Sequence, residues 1–406
     1  MYSYHAFGFL TVSGSPESHA SKCSDCFFYW QFFEVIFQEC FLPLRFKAKD
    51  MEKHNKPRLF GQVHSSRDYS KPECWGKNQF NSSFPASLVA YMYSKEIKPV
   101  YICTSPSNRI IHKYIGGDEL LGINPLSDEA YYNFEAGFTP YEKYYQGERE
   151  KIDLVMLNNC TSDVLSGLEV KLTALPDNTT KNLPESEWGT EIVMRPPTIC
   201  FLVCSICANY NTSKGKEKLR SLLRNVPQIN HWEEINEVLP HYAAIESSIL
   251  SISTDMCNKQ KPLIIQPVWK TEGSKMRLKE DCLDVFVWSN LSIIQMCCTE
   301  DNTNLKKLNR FHRTIIWIYK MLLDYVTYDT FDYKRIIRLQ SYNLANDKAF
   351  ALPGTKSHYF LKGDELINPR ISKYEIKNII LGGGQDLLSP ERRFDAVLVN
   401  SPDIFE

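Results

Sequence analysis

The sequence lacks an excess of charge of either sign. It has 47 Lys and Arg residues against 48 Asp and Glu, a formal net charge of −1 over 406 residues. A chain with this balance has no global field that draws it to nucleic acid, so any contact with DNA must use local basic patches. The apolar fraction of 43% and the charged fraction of 23% are those of an ordinary globular protein. The length suits one large domain with insertions, or two domains.

The short motifs of several enzyme classes are absent too. The sequence contains no Walker A loop, no GxGxxG fingerprint, no HExxH motif and no internal repeat. The 13 cysteines are an odd number, and the pair Cys23 and Cys26 lacks the second pair that a zinc knuckle needs. Cys200, Cys204 and Cys207 lie in an apolar run, so we expect small core residues in a reducing cytoplasm.

The first part of the chain differs in character from the rest. Its aromatic run, residues 27–44, carries Glu34 and Glu39 and is barely long enough to span a bilayer. A polar stretch precedes the run and no cleavage site of small residues follows it, so we do not expect a signal peptide. We expect no contact with a membrane. The run could form an amphipathic helix on the body of the protein. We favour an extension over residues 1–55 that is not part of the working protein, followed by one domain over residues 56–406.

Two segments predict neighbouring strands joined by a polar turn. They are residues 151–157, KIDLVML, and residues 167–177, GLEVKLTALPD, and in both the apolar residues alternate onto one face. If those faces pack on a core, Asp153, Glu169 and Lys171 are left together on the other face. Carboxylates are the ligands that Mg²⁺ prefers. A lysine beside them could orient or deprotonate an attacking water and offset negative charge.

The same pattern admits a plainer interpretation, in which Glu169 and Lys171 form a solvated surface pair worth under about 1 kcal/mol. An acidic residue two positions before a lysine is common in this chain. It also occurs at Glu96–Lys98, Asp332–Lys334 and Glu375–Lys377. Those three pairs lack an aspartate on a separate apolar strand at hairpin distance. In the interpretation as a metal site, the carbonyl oxygen of Val170 would be one more ligand beside Asp153 and Glu169.

Longer strings around the hairpin carry a resemblance. Asp153 with Glu169-Val170-Lys171 resembles the catalytic core of the PD-(D/E)xK nucleases, although Ile152 stands where many of them have proline. Residues 65–92, 167–180, 188–199 and 266–290 resemble the HindVP-type family of type II restriction endonucleases. The similarity extends from Lys56 to the C terminus.

The resemblance implies a Mg²⁺-dependent, cytoplasmic homodimer that cuts both strands of double-stranded DNA within a short palindrome of the GRCGYC type. Asp153 and Glu169 would hold the metal, and Lys171 would assist the attack. The implied fold is α/β, a restriction-endonuclease-like core whose central mixed β-sheet is flanked by helices, with helical insertions. A cognate DNA methyltransferase encoded nearby is also implied, without direct contact.

Cores of this class often take one more acidic residue from a helix before the aspartate strand. Residues 126–138 predict such a short helix, and Glu135 on it is the first candidate for the metal site. Glu142 and Glu148 are its rivals. Glu191, on a predicted strand after the hairpin, could also reach the metal.

Two polar segments are candidates for DNA contact. The first precedes a helix predicted to be capped at residues 81–83, with Pro85 in its first turn; a surface loop is an equal alternative there. The second is a basic loop between an edge or irregular strand with two prolines, residues 261–269, and a clear strand, residues 283–288. Arginine reads guanine and asparagine reads adenine in the major groove. The candidate residues are Arg67, Lys77, Asn78 and Asn81 in the first segment, and Lys270, Lys275 and Arg277 in the second.

Two further segments have open interpretations. Residues 198–206 predict a strand bounded by proline. Residues 214–225 predict a basic helix capped by Thr212 or Ser213, for which a solvated face is favoured over phosphate contact.

Two other functions are compatible with the same residues. One is a repair or recombination nuclease without sequence preference. The other is a DNA-binding protein that keeps a degenerate nuclease fold without activity, although the intact Asp, Glu and Lys argue against it.

Overall fold

The computed structural model describes residues 64–66, 77–172, 188–189, 191–272, 277–298, 307–354, 359–361 and 368–381. Their strands and helices are, in chain order, β1 His64–Ser65, α1 Lys77–Ser94, β2 Val100–Thr104, β3 Ile110–Tyr114, α2 Gly117–Leu121, β4 Ala130–Gly137, α3 Thr139–Glu142, β5 Lys151–Asn158, β6 Val164–Val170, β7 Trp188–Gly189, β8 Ile192–Met194, α4 Pro196–Asn209, α5 Ser213–Leu223, α6 Ile235–Val238, α7 Tyr242–Met256, β9 Pro262–Thr271, β10 Leu278–Ser289, α8 Asn290–Cys297, α9 Arg310–Tyr328, α10 Tyr333–Leu339, β11 Phe350–Leu352, β12 Ile371–Ser372 and α11 Lys373–Leu381. The prediction for residues 1–55 lies outside the described residues.

A large mixed sheet organises the described part of the chain. Its strand order is β1-β4-β5-β6-β9-β10-β2-β3, with β7 paired on β9 and β12 paired on β10. The pairs β1/β4, β6/β9 and β10/β2 are parallel. The other pairs within the sheet are antiparallel. The predicted hairpin is β5 and β6, and it lies inside the sheet rather than at its border.

Helices cover both faces of this sheet, because consecutive residues of its inner strands are apolar on both sides. Val155 and Ile264 belong to one core cluster, which includes residues of α4, α5, α7, α8, α9 and α10. Leu154 directly precedes Val155 in the sequence, and Ile265 directly follows Ile264. Both belong to a second cluster, which includes residues of α1, α2 and α11. Strand residues alternate between the two faces. The predicted α/β architecture, a central mixed sheet flanked by helices, is therefore confirmed.

The segment around Glu135 is a strand, where the sequence predicted a helix. Residues 130–137 form β4, which pairs antiparallel with β5 along most of its length. Tyr132 and Phe134 are buried whereas Tyr131 and Asn133 are partly exposed. This alternation has the two-residue period of a strand and contains β-favouring aromatic residues. The helix prediction was wrong because it gave the acidic residues more weight than the period.

The apolar run that contains the three cysteines is a helix, where the sequence predicted a strand. Helix α4 begins with Pro196 and Pro197, and residues 198–207 are all buried. A helix that is buried all round shows no amphipathic period, so an apolar run of this kind cannot be assigned from its pattern alone. Proline fits in the first helical turn, where its missing N–H has no partner to lose. Among the described residues no helix is both long and apolar enough to cross a membrane.

Strand β9 lies in the interior of the sheet, where its two prolines predicted an edge or irregular strand. It pairs with β10 on one side and with β6 and β7 on the other. The β6 pairing involves Ile264 and Ile265, and the β7 pairing involves Trp269 and Lys270. Pro267 lies between these two stretches, so its missing N–H interrupts neither pairing.

The helices predicted after residue 81 and after Thr212 both exist, and the first of them begins earlier than predicted. Helix α1 begins at Lys77, so Pro85 lies inside it rather than in its first turn. The basic helix α5 is capped by the Thr212 hydroxyl, which accepts the N–H of Gly215.

Candidate active site

Strands β5 and β6 bring the two predicted acidic residues side by side. Their register pairs Leu154 with Leu168, and Asp153 and Glu169 are the next residues along the two strands beyond this pair. The Oδ2 atom of Asp153 accepts the backbone N–H of Val170 at 2.8 Å. This bond ties the aspartate of one strand to the backbone beside the glutamate of the next, so the two carboxyls are held together by the sheet.

The predicted lysine completes the group. The Nζ atom of Lys171 lies 3.1 Å from Oε2 of Glu169. Its own backbone N–H donates to the carbonyl of Ile265 at 2.9 Å, so β9 fixes the chain at this point. The side chains of Lys171 and Glu169 are 14% and 9% exposed. They form a largely buried pair beside Asp153 and not the solvated surface pair of the plainer interpretation.

The burial of this group has an electrostatic consequence. Loss of solvent raises the pKa of Glu169 to about 7, and the neighbouring carboxyl of Asp153 raises it as well, against the opposing effect of Lys171. Two adjacent carboxylates in a poorly solvated place repel each other, and a bound cation relieves that repulsion. The donor set therefore fits a hard divalent cation such as Mg²⁺, which usually takes one or two carboxylates together with waters and substrate phosphates. No cluster of three His, Cys, Asp or Glu side chains able to hold a metal occurs in the described residues.

The further acidic candidates are placed differently. Glu135 lies on β4 between Phe134 and Ala136, whose partners on β5 are Leu154 and Ile152, so its backbone position is across from Asp153. Its backbone is left-handed, with φ of 49°. Its carboxyl is not gathered with Asp153 and Glu169 into a three-residue metal cluster.

The remaining acidic candidates have other neighbours. Glu142 forms an ion pair with Arg149 at 2.8 Å, and Glu148 forms one with Lys334 at 3.2 Å. Glu191 is exposed. Its carbonyl oxygen accepts from the buried Gln266 at 3.3 Å.

Two of the predicted DNA-contact residues, Lys270 and Arg277, lie at the end of the sheet where β9 finishes and β10 begins. They flank the segment that joins β9 to β10, and Arg277 is exposed. Because β6 and β9 are parallel, Lys270 lies beyond the end of β6 that carries Lys171. The ring of Phe84 on α1 stacks on Trp269 at 6.1 Å, so the first half of α1 lies beside the same hairpin. Lys77, Asn78 and Asn81 are in the first five residues of α1, and Arg67 and Lys275 lie outside the described residues.

The basic residues of helix α5 are mostly paired within the protein. Lys216 contacts Asp329, and Lys218 contacts Asp255. A guanidinium N–H of Arg220 donates to the carbonyl of Val326. These partners favour a structural role over phosphate contact for this helix.

Two residues near the acidic pair were not singled out from the sequence. Gln266 is fully buried in β9, two residues beyond Ile264, the partner of Glu169, and its Oε1 accepts the indole N–H of Trp288 at 2.9 Å. Gly167 lies two residues before Glu169 on β6, and a Cβ atom there would meet the ring of Phe138 at 2.8 Å. A glutamine inside a run of apolar strand residues was the available signal for the first. A glycine inside a strand was the signal for the second.

The chain has relatives among known proteins. The sequence model described as HindVP restriction endonuclease matches residues 75–405. The chain is 40% identical over 357 residues to a type II restriction enzyme, HgiDI, of Herpetosiphon aurantiacus, covering 87% of this chain and 99% of that protein. It is 40% identical over 354 residues to a probable type II restriction enzyme, HindVP, of Haemophilus influenzae, covering 86% of this chain and 95% of that protein. No solved structure matches the chain.

Proposed function

Because the chain belongs to the HindVP restriction endonuclease family, we propose that it is a type II restriction endonuclease whose active site is Asp153, Glu169 and Lys171. The reaction is the hydrolysis of a DNA phosphodiester by in-line attack of water, which leaves a 5′-phosphate and a 3′-hydroxyl. The observation that supports the assignment is the grouping of the Asp153 and Glu169 carboxyls, which interact with each other, with the Lys171 ammonium bound to Glu169.

Each side chain of the group has a separate task in this reaction. Asp153 and Glu169 would hold Mg²⁺, which when bound supplies a water of lowered pKa and positive charge beside the phosphate. Lys171 orients the attacking water and offsets negative charge as the phosphorus is attacked. Val170 keeps Asp153 in place through its backbone N–H. The sheet thus fixes the reacting groups before DNA arrives, which lowers the cost of reorganising them.

Digestion of supercoiled plasmid DNA with Mg²⁺ tests the proposal. The unmutated protein should give discrete fragments, and EDTA should abolish cutting. Lys171→Ala should lower the rate by about 10²-fold or more, since it removes a charge aimed at the reacting phosphate. Lys98→Ala is a matched control, because Lys98 belongs to the acidic-x-lysine sequence Glu96–Lys98 but is exposed in a turn region far from β6 in the sequence. Equal rates for Lys171→Ala and the parent protein would refute the mechanism.

The pattern of fragments separates this function from a nuclease without sequence preference. A smear, or fragments with random ends, would favour the repair or recombination nuclease. Sequencing the ends of discrete fragments identifies the recognition site, for which the family resemblance implies the GRCGYC type. Uncut plasmid at every metal concentration would favour the protein without activity.

A homodimer is the proposed working form. A palindrome presents the same groups twice around a two-fold axis, and a symmetric pair of subunits can engage both halves with identical contacts. Double-stranded DNA is the substrate, and contacts from Lys and Arg to its phosphates should make binding weaken steeply as salt rises. A cognate DNA methyltransferase encoded nearby would protect the host DNA without contacting this protein.

A further inference from the structure

The active-site lysine has a buried polar neighbour on the next strand. The N–H of Lys171 donates to the carbonyl of Ile265 at 2.9 Å, so the parallel pairing of β6 with β9 continues one step past Val170. This step puts Lys171 across from Gln266, with their Cβ atoms about 5 Å apart, the spacing of neighbouring strands. Gln266 is fully buried, so its carboxamide is a fixed part of the surroundings of the lysine.

Both side chains lie on the same face of the sheet, as the core contacts of their neighbours show. Two residues that flank Gln266 on β9 belong to the core cluster that includes α4 and α9, and they are Ile264 and Val268. The apolar residues that alternate with Glu169 and Lys171 contact the opposite cluster, and they are Leu168, Val170 and Leu172. Because alternate strand residues point to opposite faces, Glu169 and Lys171 face the same side as Gln266.

The carboxamide of Gln266 joins β9 to two other segments. Its Oε1 atom accepts the indole N–H of Trp288 on β10 at 2.9 Å, and its Nε2 atom donates to the carbonyl of Glu191 at 3.3 Å. Trp288 is fully buried as well. Leaving a buried amide unpaired is costly, so these two bonds fix the orientation of the side chain.

The segment that leads to Glu191 lies around the end of β6. Strand β7 pairs Gly189 with Trp269, on the flank of β9 that β6 occupies earlier along the strand. Lys171 is across from Gln266, three positions before Trp269 and thus roughly 10 Å away along the strand. The carbonyl of Glu191 contacts Gln266, so the chain returns from β7 to the position beside Lys171. This segment contributes to the burial of the lysine, whose side chain is 14% exposed.

We propose that Gln266 is a positioning residue of the active site, which acts through Lys171. This inference rests on the proposed function of Asp153, Glu169 and Lys171. Gln266 fastens the backbone of Glu191 to β9 and closes the space beside Lys171, into which the flexible side chain would otherwise move. The ammonium thereby stays next to Glu169. A lysine needs this support because its charge stands at the end of a stem with several rotatable bonds.

The kinetics of plasmid cleavage with Mg²⁺ test the proposal. Gln266→Leu removes both hydrogen bonds, and it should lower kcat by about 10-fold or more, because a shift of roughly 1 Å at reacting groups can cost about 10²-fold. KM should stay unchanged, because the buried side chain does not contact DNA. The affinity for a labelled duplex that carries the site cut by the unmutated protein, measured in EDTA by fluorescence anisotropy, should stay unchanged for the same reason.

A double variant separates positioning from a general structural role. In a Lys171→Ala protein, Gln266→Leu should cause little further loss of kcat, because the effect of the glutamine passes through the lysine. A substitution that merely loosens the fold would lower the rate by the same factor in both backgrounds.

Gln260→Leu is the matched control for the loss of a hydrogen-bonded glutamine. Gln260 precedes β9 and lies roughly 20 Å from Gln266 along the strand. Its side chain bonds to the backbone of Thr104 and to the hydroxyl of Ser289. This variant should lose thermal stability as Gln266→Leu does, but it should keep the parent kcat at temperatures where it is folded.

Trp288→Phe provides a test that leaves Gln266 in place. It removes the donor that orients the carboxamide, so kcat should fall by a smaller factor than in Gln266→Leu while KM is unchanged. If circular dichroism shows Gln266→Leu to be unfolded, this variant takes its place, and a parent kcat in Trp288→Phe would then overturn the proposal.

The remaining outcomes are equally decisive. A parent kcat in folded Gln266→Leu, an equal loss of kcat in Gln260→Leu, or a full further loss in the Lys171→Ala background would overturn the role of Gln266. If the unmutated protein does not cut plasmid DNA, the proposed function itself fails. Discrete cutting with a parent kcat in folded Gln266→Leu removes this inference alone.

Discussion

At the scale of single residues, burial changes the role that a charge can have. Arg313 lies in the basic first part of α9, yet it is fully buried and donates to the carbonyls of Ala345 and Lys348, each at 2.9 Å. Its guanidinium lies 4.3 Å from the centre of the Trp317 ring. The arginine therefore holds the chain that leads into β11, and it is not available to DNA.

Replacement of this arginine should destabilise the protein without affecting chemistry directly. Arg313→Met keeps most of the side-chain volume but leaves buried carbonyls without donors, at a cost of about 3 kcal/mol. Arg310→Met, an exposed position at the start of the same helix, should cost under about 0.5 kcal/mol. Urea denaturation followed by circular dichroism measures both. Similar losses in the two variants would contradict the structural role of Arg313.

Asp255 offers a test of pH dependence. Burial raises its pKa, but hydrogen bonds from Lys218 and Tyr210 outweigh this effect and hold the pKa below the ordinary value. The Tyr210 hydroxyl donates to Oδ2 of Asp255 at 2.7 Å. A carboxyl with a lowered folded-state pKa adds stability above its unfolded pKa and loses it as pH falls through the folded-state pKa.

The charge of Asp255 should therefore matter at neutral pH and cease to matter in acid. Asp255→Asn should lower the free energy of unfolding by about 1 kcal/mol at neutral pH. The difference from the parent protein should shrink as the pH falls below the ordinary pKa of an aspartate, because both side chains are then uncharged. Denaturation curves across that pH range provide the measurement, and a difference that grows in acid would reverse the assigned sign.

At the scale of elements, strand β6 depends on the missing side chain of Gly167. The ring of Phe138, which is 7% exposed, occupies the space above this glycine, two residues before Glu169. Gly167→Ala would place a Cβ atom 2.8 Å from the ring. Overpacking of this kind costs about 1–3 kcal/mol and shifts the backbone. The variant should lose both thermal stability and DNA cleavage.

A second substitution separates the ring contact from a general weakening of the strand. Phe138→Leu shortens the side chain over Gly167, so in the double variant the free energy lost through Gly167→Ala should be smaller than in the single variant. A double-mutant cycle on thermal unfolding gives the interaction energy. Strict additivity of the two changes would show that the ring is not what excludes a side chain at Gly167.

At the scale of the whole molecule, the proposed dimer has a kinetic signature. Two identical active sites in one complex cut both strands of a palindrome in a single encounter, so supercoiled plasmid should become linear with little nicked circle. A heterodimer of one unmutated subunit and one Lys171→Ala subunit should only nick. Co-expression with two affinity tags isolates the mixed species, and gel electrophoresis resolves the products. Linear product from the heterodimer at the parent rate would contradict one active site for each strand.

The sequence by itself determined the candidate catalytic residues of this protein, its family and much of its local structure. Alternation and hairpin spacing predicted two adjacent strands, which exist as β5 with Asp153 and β6 with Glu169, while Lys171 directly follows the end of β6. The strings around them carried the family, which the comparisons confirmed. Patterns read one segment at a time failed where a segment was apolar throughout, as in α4, or where prolines suggested an edge, as in β9.

Only the tertiary structure decided what each segment faces. It showed that β9 is an inner strand, that Glu135 lies on strand β4 beside β5, and that Arg313 is buried while Arg310 is exposed. Local sequence cannot contain this information, because the partners of a strand are distant in the chain and burial depends on all of them. The charge and the period of a segment are properties of its residues, whereas solvent access and the neighbouring charges belong to the assembled sheet and its helices.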